Sequence, residues 1–149
     1  MKMLNDIQHI TFVTADMDRL IAFYRRVFEA EATVDMEEEG LRHAFIEVGA
    51  QTVLHPFQVP GVEPPGSQPM FSRGRLDHFA LNAASEDAFW ELRRRVIAEG
   101  AYDGVVTDMG SLLSFTFIDP DEGRHEVVWV RPWVPSNMLL KRAEWEAIG

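Results

Sequence analysis

Two histidines, His9 and His78, begin two stretches of the chain that repeat one another. When residues 9–32 are shifted by 69 positions onto residues 78–101, seven of the twenty-four pairs are identical. A repeated unit of this kind predicts a pseudo-symmetric fold in which equivalent positions have equivalent roles. Imidazole nitrogens are common metal ligands. The equivalent histidines therefore indicate a metal site.

A second pair of residues, His55 and Glu126, extends this hypothesis. They lie 71 positions apart, so one insertion of two residues aligns them as the first pair is aligned. A carboxylate in the apolar run HEVVWV needs a metal or cationic partner. Two imidazoles and one carboxylate suit Fe(II), and a fourth nitrogen also suits Zn, Ni, Co or Mn. We therefore predict a divalent-metal site formed by His9, His55, His78 and Glu126.

The composition excludes several other classes of protein. The chain has 149 residues and a net charge of −10, which argues against nucleic acid and against a basic membrane patch as partners. It has no cysteine, so a metal must be held by nitrogen and oxygen. No apolar run reaches the roughly 18 residues of a membrane span, and residues 1–6 lack the pattern of a signal peptide. We therefore expect a cytoplasmic protein.

The elements that must position these residues follow from periodicity. Residues 7–14 predict a strand with His9 on one face. Asp16 is expected to cap a helix over Met17–Phe28, whose apolar side chains recur at three-to-four spacing. That helix should cover the face of the strand opposite to His9. Further strands are predicted over 32–36, 41–48 and 52–58, which completes a first module at 1–58.

The same order of elements is expected a second time. Residues 59–74 contain four prolines and three glycines, which predicts a linker. The second module, 75–131, is expected to contain a strand over 75–83 centred on His78, a helix from Ser85 to Glu99, and three further strands. These strands are predicted over 104–107, 112–118 and 124–130. Residues 132–149 are interpreted as a C-terminal tail, partly helical over 137–147.

Four stretches of the chain resemble the vicinal oxygen chelate superfamily, which contains glyoxalase I, bleomycin-resistance proteins, fosfomycin-resistance transferases, methylmalonyl-CoA epimerase and extradiol dioxygenases. The stretches are IQHITFVTADMDRLIAFYRRVF, TVLHPFQVPG, DHFALNAASEDAFWELRRRV and FIDPDEGRHEVVWV, and the resemblance covers about residues 5–131. It implies an α+β fold in which two tandem βαβββ modules form a curved mixed sheet around a central cavity. It also implies one glyoxalase-like domain, a small-molecule substrate and a homodimer.

The resemblance also assigns the site residues. In metal-dependent members of the superfamily, ligands come from the first and last strands of each module. His9 and His78 match the first-strand positions, and Glu126 matches the carboxylate of the last strand. His55 stands where many relatives have Glu or Gln. The implied cofactor is a divalent ion, with Fe, Mn, Ni, Co and Zn all open.

Proton transfer in an isomerase, lyase or epimerase is the favoured reaction, because all four ligand positions are filled. In such a reaction the metal polarises a carbonyl while a base removes a proton from the neighbouring carbon. Glu126 and His55 are candidate catalytic residues. Glu47, in the strand before His55, is a third candidate, and its alternative interpretation is an exposed strand residue.

Extradiol ring cleavage by Fe(II) is an alternative reaction. The resemblance matches its iron triad to His9, His78 and Glu126. Those dioxygenases place a tyrosine ten residues before the carboxylate ligand, where this chain has Thr116. This difference weakens the ring-cleavage hypothesis.

Two other functions stay open. Thr11 matches the His-x-Thr start of fosfomycin transferases, which favours thiol transfer to an antibiotic, but the sequence has no cluster of basic residues that clearly forms a phosphonate pocket. A metal-free binding protein, similar to the bleomycin-resistance members, would use the negative charge to hold a cationic drug, but four intact ligand-type residues argue against it. His43 and His125 lie outside the predicted site and are interpreted as structural.

Overall fold

The computed structural model describes residues 3, 7–62, 71, 74, 76–134 and 146–148. The chain divides into unit 1, Met1–Gly66, and unit 2, Ser67–Gly149. The boundary falls inside the Pro/Gly-rich segment 59–74.

Unit 1 is a four-stranded mixed sheet with one helix. Its strand order is β1-β4-β3-β2, with β1 parallel to β4 and the other neighbours antiparallel. The elements in chain order are β1 (His9–Thr14), α1 (Met17–Phe28), β2 (Glu31–Glu38), β3 (Leu41–Glu47) and β4 (Val53–Gln58).

Unit 2 repeats this arrangement and adds one strand. Its strand order is β5-β8-β7-β6-β9, and β5 is parallel to β8 as β1 is to β4. The elements are β5 (Ala80–Asn82), α2 (Glu86–Ala98), β6 (Tyr102–Asp108), β7 (Leu112–Ile118), β8 (Arg124–Val130) and β9 (Glu146–Ile148). Two tandem βαβββ modules, as predicted from the repeat, are confirmed.

The helices begin at equivalent residues of the two copies. The Asp16 carboxylate accepts a hydrogen bond from the Arg19 amide at 3.0 Å, and the Ser85 hydroxyl accepts one from the Ala88 amide at 3.1 Å. Each cap satisfies one amide that has no partner within the helix. Neither α1 nor α2, the helices of the described residues, is long and apolar enough to cross a membrane.

The sheet of unit 1 has two different faces. Ala44, Ile46 and Leu54 are at most 1% exposed, and they form the core with the apolar side of α1. Along β1, exposed and half-buried residues alternate, with His9 and Thr11 on the exposed side. Because alternate residues of a strand point to opposite faces, His9 lies away from the helix, as predicted. We call this side of the sheet the open face.

Two segments differ from the sequence-based expectation. A strand was expected over 75–83, but β5 begins only at Ala80. His78 therefore lies outside the strand that was expected to be centred on it. Before β5, the Asp77 carboxylate accepts a hydrogen bond from the Phe71 amide at 2.5 Å and contacts the His78 ring, so these residues make local contacts in place of strand pairing. The helix expected over 137–147 falls mostly outside the described residues, whereas 146–148 form β9, antiparallel to β6.

Candidate functional site

The open face of unit 1 brings two of the four predicted ligands together. Thr11 of β1 pairs with His55 of β4, and His9 lies two residues before Thr11. The side chains of His9 and His55 therefore share a face of the sheet. Their rings contact edge to face, with centroids 5.4 Å apart. In unit 2, the other two predicted ligands are His78 and Glu126.

His55 lies within β4 among aromatic rings. The ring centroids of Phe45 and Phe57 lie 4.4 and 4.6 Å from its own. Burial lowers the pKa of His55 below its ordinary value, because the charged imidazolium loses hydration, and the nearby imidazoles of His43 and His9 lower it further. His55 is therefore neutral at pH 7, which is the form that binds a metal or accepts a proton.

His43, which the sequence analysis treated as structural, belongs to the same cluster. Its Nδ1 lies 3.2 Å from His55 Nε2, and its ring stacks on Phe57 with centroids 5.3 Å apart. His43 pairs with Phe57 across β3 and β4, which places it diagonally opposite His55. The alternation within β3 was visible in the sequence. The pairing of β3 with β4, which brings the two histidines together, was not.

His9 and His78 each use one ring nitrogen in a local hydrogen bond. His9 Nδ1 lies 2.5 Å from Gln8 Oε1, and His78 Nδ1 lies 2.8 Å from Asp77 Oδ2. An amide or carboxylate oxygen only accepts, so each Nδ1 donates, and in the neutral ring Nε2 then keeps its lone pair. A histidine held by a carboxylate in this way is the usual arrangement behind a metal ligand. Asp77 was missed from the sequence, although it directly precedes His78.

Glu126 lies in β8, where it is half-buried. It pairs with Ala80 of β5 on one side and with Thr116 of β7 on the other. Thr116, the residue that departs from the dioxygenase pattern, is therefore its direct neighbour in the sheet. His78 lies two residues before Ala80, ahead of β5.

His125 points away from Glu126 and is buried. Its ring stacks on Phe79 with centroids 3.8 Å apart, and its Nε2 lies 3.1 Å from Asp119 Oδ2. Asp119 also accepts hydrogen bonds from the amides of Asp121 and Gly123. This arrangement holds the turn between β7 and β8 together, so the contacts of His125 are structural ones.

Glu47 lies at the end of β3, in a different setting from His55. It is exposed and lines a shallow depression of about 340 Å³. The described residues of its lining are Phe28, Glu29, Glu31, Glu47, Val48 and Gly49. Three carboxylates at one depression favour a cationic group there.

The donor atoms of the four predicted ligands fit a divalent ion in kind. His9, His55 and His78 supply imidazole nitrogens, of which His9 and His78 are held through Nδ1, and Glu126 supplies oxygen. As positioned, the described residues contain no group of three or more His, Asp or Glu side chains that could hold a metal ion. Two ligands lie in each unit.

A family model described as the Glyoxalase/Bleomycin resistance protein/Dioxygenase superfamily matches residues 6–127. This span contains all four predicted ligands. No curated protein matches the chain significantly.

Three solved structures illustrate the likeness of fold. A glyoxylase/bleomycin resistance protein/dioxygenase domain from Frankia sp. EAN1pec is 18% identical, with a TM-score of 0.74 over 86% of this chain and 99% of that one. The fosfomycin resistance protein FosX from Listeria monocytogenes, complexed with Mn(II) and sulfate, is 19% identical, with a TM-score of 0.64 over 87% and 96%. Lactoylglutathione lyase from Agrobacterium tumefaciens is 21% identical, with a TM-score of 0.64 over 89% and 98%.

Proposed function

The chain belongs to the glyoxalase/bleomycin resistance protein/dioxygenase superfamily, and we propose that it is a divalent-metal-dependent enzyme acting on a small oxygen-bearing substrate. The substrate chelates the metal through its oxygens. The favoured reaction is proton transfer, of the isomerase, lyase or epimerase type.

The observation that carries this proposal is the hydrogen bonding of the ligand histidines. Asp77 holds His78 and Gln8 holds His9, each through Nδ1. Both rings are thereby oriented, and in their neutral forms both keep a lone pair on Nε2. His9 lies on the open face, and the side chain of His78 is 35% exposed, so an ion can reach both rings from solvent.

We propose His9 and His55 of unit 1 and His78 and Glu126 of unit 2 as ligands, in sites formed either within one chain or between the chains of a dimer. The bound ion would act as a Lewis acid that polarises a substrate carbonyl or hydroxyl. The Listeria relative was crystallised with Mn(II), so Mn(II) is the first ion to test, followed by Fe, Ni, Co and Zn.

The chain's own residues supply the proton-transfer groups. Glu126 is the first candidate base, because a half-buried carboxylate on β8 can accept a proton from carbon next to a carbonyl. His55 is the second, since it is neutral and has one ring nitrogen beyond the one that contacts His43. Glu47 is the third and the weakest, because it belongs to the acidic depression.

Metal analysis tests the proposal. After reconstitution with Mn(II), Co(II) or Zn(II) and removal of excess ion, we expect about one equivalent bound per chain. His78→Ala and Glu126→Gln should each abolish tight binding, because each removes a ligand. Glu37→Gln, which changes an exposed carboxylate of β2, is the control and should bind like the wild type. Less than about 0.2 equivalents bound to the wild type would contradict the proposal.

A metal-free binding protein is the second candidate function. It is favoured by the acidic depression at Glu29, Glu31 and Glu47, which suits a cationic small molecule. Under this alternative, the protein binds no metal, and a cationic ligand binds with an affinity that falls as salt rises. Combining Glu31→Gln with Glu47→Gln should then remove the binding.

Two finer points belong to the proposal. A homodimer is expected from the family, and sedimentation at micromolar concentration would detect it.

Extradiol cleavage is disfavoured by Thr116 beside Glu126, and oxygen uptake with catechols and the Fe(II)-loaded protein would reveal it.

A further inference from the structure

We infer that His43 and Glu38 fix His55 as the tautomer protonated at Nε2, so that His55 offers its Nδ1 to the proposed site. His43 is then a positioning residue. The inference concerns a histidine pair within unit 1, and its link to metal binding rests on the proposed function.

The imidazole rings of His43 and His55 are in contact. His55 Nε2 and His43 Nδ1 lie 3.2 Å apart, within hydrogen-bond distance. One nitrogen must donate and the other must accept, because two neutral acceptors or two donors would repel each other. The hydrogen bond can therefore run in either direction: from His43 to His55, or from His55 to His43.

Glu38 selects between them. Its Oε2 lies 3.8 Å from Nε2 of His43, the ring nitrogen that does not contact His55. This nitrogen is buried and has no hydrogen-bond partner among the described residues. If His43 donated from Nδ1 to His55, its Nε2 would turn a bare lone pair towards a carboxylate. If Nε2 carries the hydrogen, that hydrogen faces the carboxylate instead.

Donation from His55 to His43 is therefore the favourable direction. The hydrogen of His43 lies on Nε2, so its Nδ1 accepts, and His55 donates from its own Nε2. A neutral imidazole carries one ring hydrogen, and hence Nδ1 of His55 keeps the lone pair. The N–H group of His55 thus points to His43, and the N–H group of His43 points towards Glu38.

Packing holds both rings in place. His43 stacks on Phe57 at an interplanar angle of 20°, and its side chain is 12% exposed. His55 contacts Phe45 edge-on on its other side. Rotation of either ring by half a turn would break the hydrogen bond while the aromatic walls stayed where they are. The aromatic side chains of the open face thus hold the His55–His43 pair in this orientation.

His55 differs from the other two proposed ligand histidines in the nitrogen that is held. His9 and His78 are held through Nδ1 and present Nε2. His55 is held through Nε2 and presents Nδ1, the nitrogen closer to the backbone. In the first module, His55 takes the position that Glu126 takes in the second, and its free nitrogen is Nδ1 instead of Nε2.

Nitrogen NMR on the metal-free protein tests the tautomer directly. Long-range proton–nitrogen correlation at mildly alkaline pH distinguishes the two nitrogens of each ring, and the signals of His55 are assigned by their loss in His55→Gln. We expect a protonated Nε2 in His55, and a mixture of tautomers in Glu38→Leu. A protonated Nδ1 in wild-type His55 would overturn the inference.

Metal affinity measured by calorimetry tests the positioning role. His43→Leu removes the acceptor and should weaken Co(II) binding by about 10–100-fold. His43→Asn keeps an acceptor oxygen near the place of Nδ1, so its affinity should stay within about threefold of the wild type. Equal binding by wild type and His43→Leu would overturn the role of His43. If the wild type itself binds no Co(II), the proposed function fails, and the NMR result still decides the tautomer.

Discussion

Asp77 accepts a hydrogen bond from the residue that directly follows it, with 2.8 Å between its Oδ2 and Nδ1 of His78. Its other oxygen accepts from the Phe71 amide. One carboxylate therefore contacts both the His78 ring and the Phe71 amide. The equivalent histidine of the first module, His9, has the amide oxygen of Gln8 in this role. The two modules support their leading histidines with different strength.

This relationship predicts the effect of Asp77→Asn. The amide oxygen can still accept from Phe71, but the NH2 group then faces His78 Nδ1 and disfavours the hydrogen there. His78 would shift towards the tautomer without a lone pair on Nε2. We expect about 10–100-fold weaker metal binding, measured by calorimetry. Asp87→Asn, an exposed change in α2, should leave the affinity unchanged, and equal affinities for both variants would contradict the prediction.

The pKa of His55 predicts a pH dependence of stability. Burial holds this pKa below its unfolded value, so the unfolded chain binds the proton more readily. The stabilising neutral state is present above the unfolded pKa of 6.5 and is lost as the pH falls below it. His55→Gln should therefore flatten the loss of stability between about pH 7 and pH 5. Urea unfolding at both pH values checks this.

A second measurement separates the causes of that shift. The charge of His43 contributes to it, after burial. In His43→Asn this contribution is absent, so the pKa of His55 should rise towards its ordinary value. Titration of the His55 ring signals by NMR would show the change. A pKa that falls in this variant would mean that the imidazole of His43 does not repel the charged form of His55.

An ion pair in unit 2 predicts a different pH dependence. Both terminal nitrogens of Arg131 donate to the Asp108 carboxylate, each at 2.7 Å. The Arg131 guanidinium, with help from the Gly110 amide, holds the pKa of Asp108 below its ordinary value of 3.8. This stabilisation is present above pH 3.8 and is lost as the pH falls through the lowered pKa.

Asp108→Asn should therefore lower the free energy of unfolding by about 1–2 kcal/mol at pH 7, since a charge-assisted hydrogen bond is lost. The difference from wild type should shrink in acid, where Asp108 is itself protonated. Urea unfolding measures both values. Glu37→Gln is the exposed control, and a difference that stays constant down to pH 3 would contradict the assignment.

Gly123 lies against the buried pair of Asp119 and His125. A Cβ at this position would lie 2.6 Å from His125 Nε2 and 3.0 Å from the nearer Asp119 oxygen. Both side chains are buried, so we expect Gly123→Ala to cost about 1–3 kcal/mol in thermal or urea unfolding. Gly49 has no atom within 4 Å of such a Cβ, and Gly49→Ala should change stability by less than about 0.5 kcal/mol. Similar values for the two variants would contradict the packing at Gly123.

Local sequence patterns predicted most of the fold. The bounds of α1, β7 and β8 agree with the structure, because caps and apolar periodicity act over a few residues. The strand expected around His78 begins only at Ala80, and Asp77 and His78 make side-chain contacts before it that strand periodicity does not predict.

The surroundings of the site were harder to predict. His43 contacts His55 only because β3 is the neighbour of β4, a pairing that connects residues 12 positions apart. Periodicity within one strand does not identify its neighbour. Asp77, by contrast, is adjacent to His78, and a search for carboxylates beside candidate ligands would have found it.

The extra strand of unit 2 affects the sheet margins. β9 pairs with β6, so the hydrogen-bonding groups on that side are partly satisfied within the chain. The equivalent strand of unit 1, β2, lies at the end of its sheet and carries the sequence EATVDMEE. An uncovered margin invites another chain to add a strand, and like charges oppose this. Unit 1 therefore ends in a strongly acidic outer strand and unit 2 in an outer strand of three residues, and both features oppose the addition of another chain.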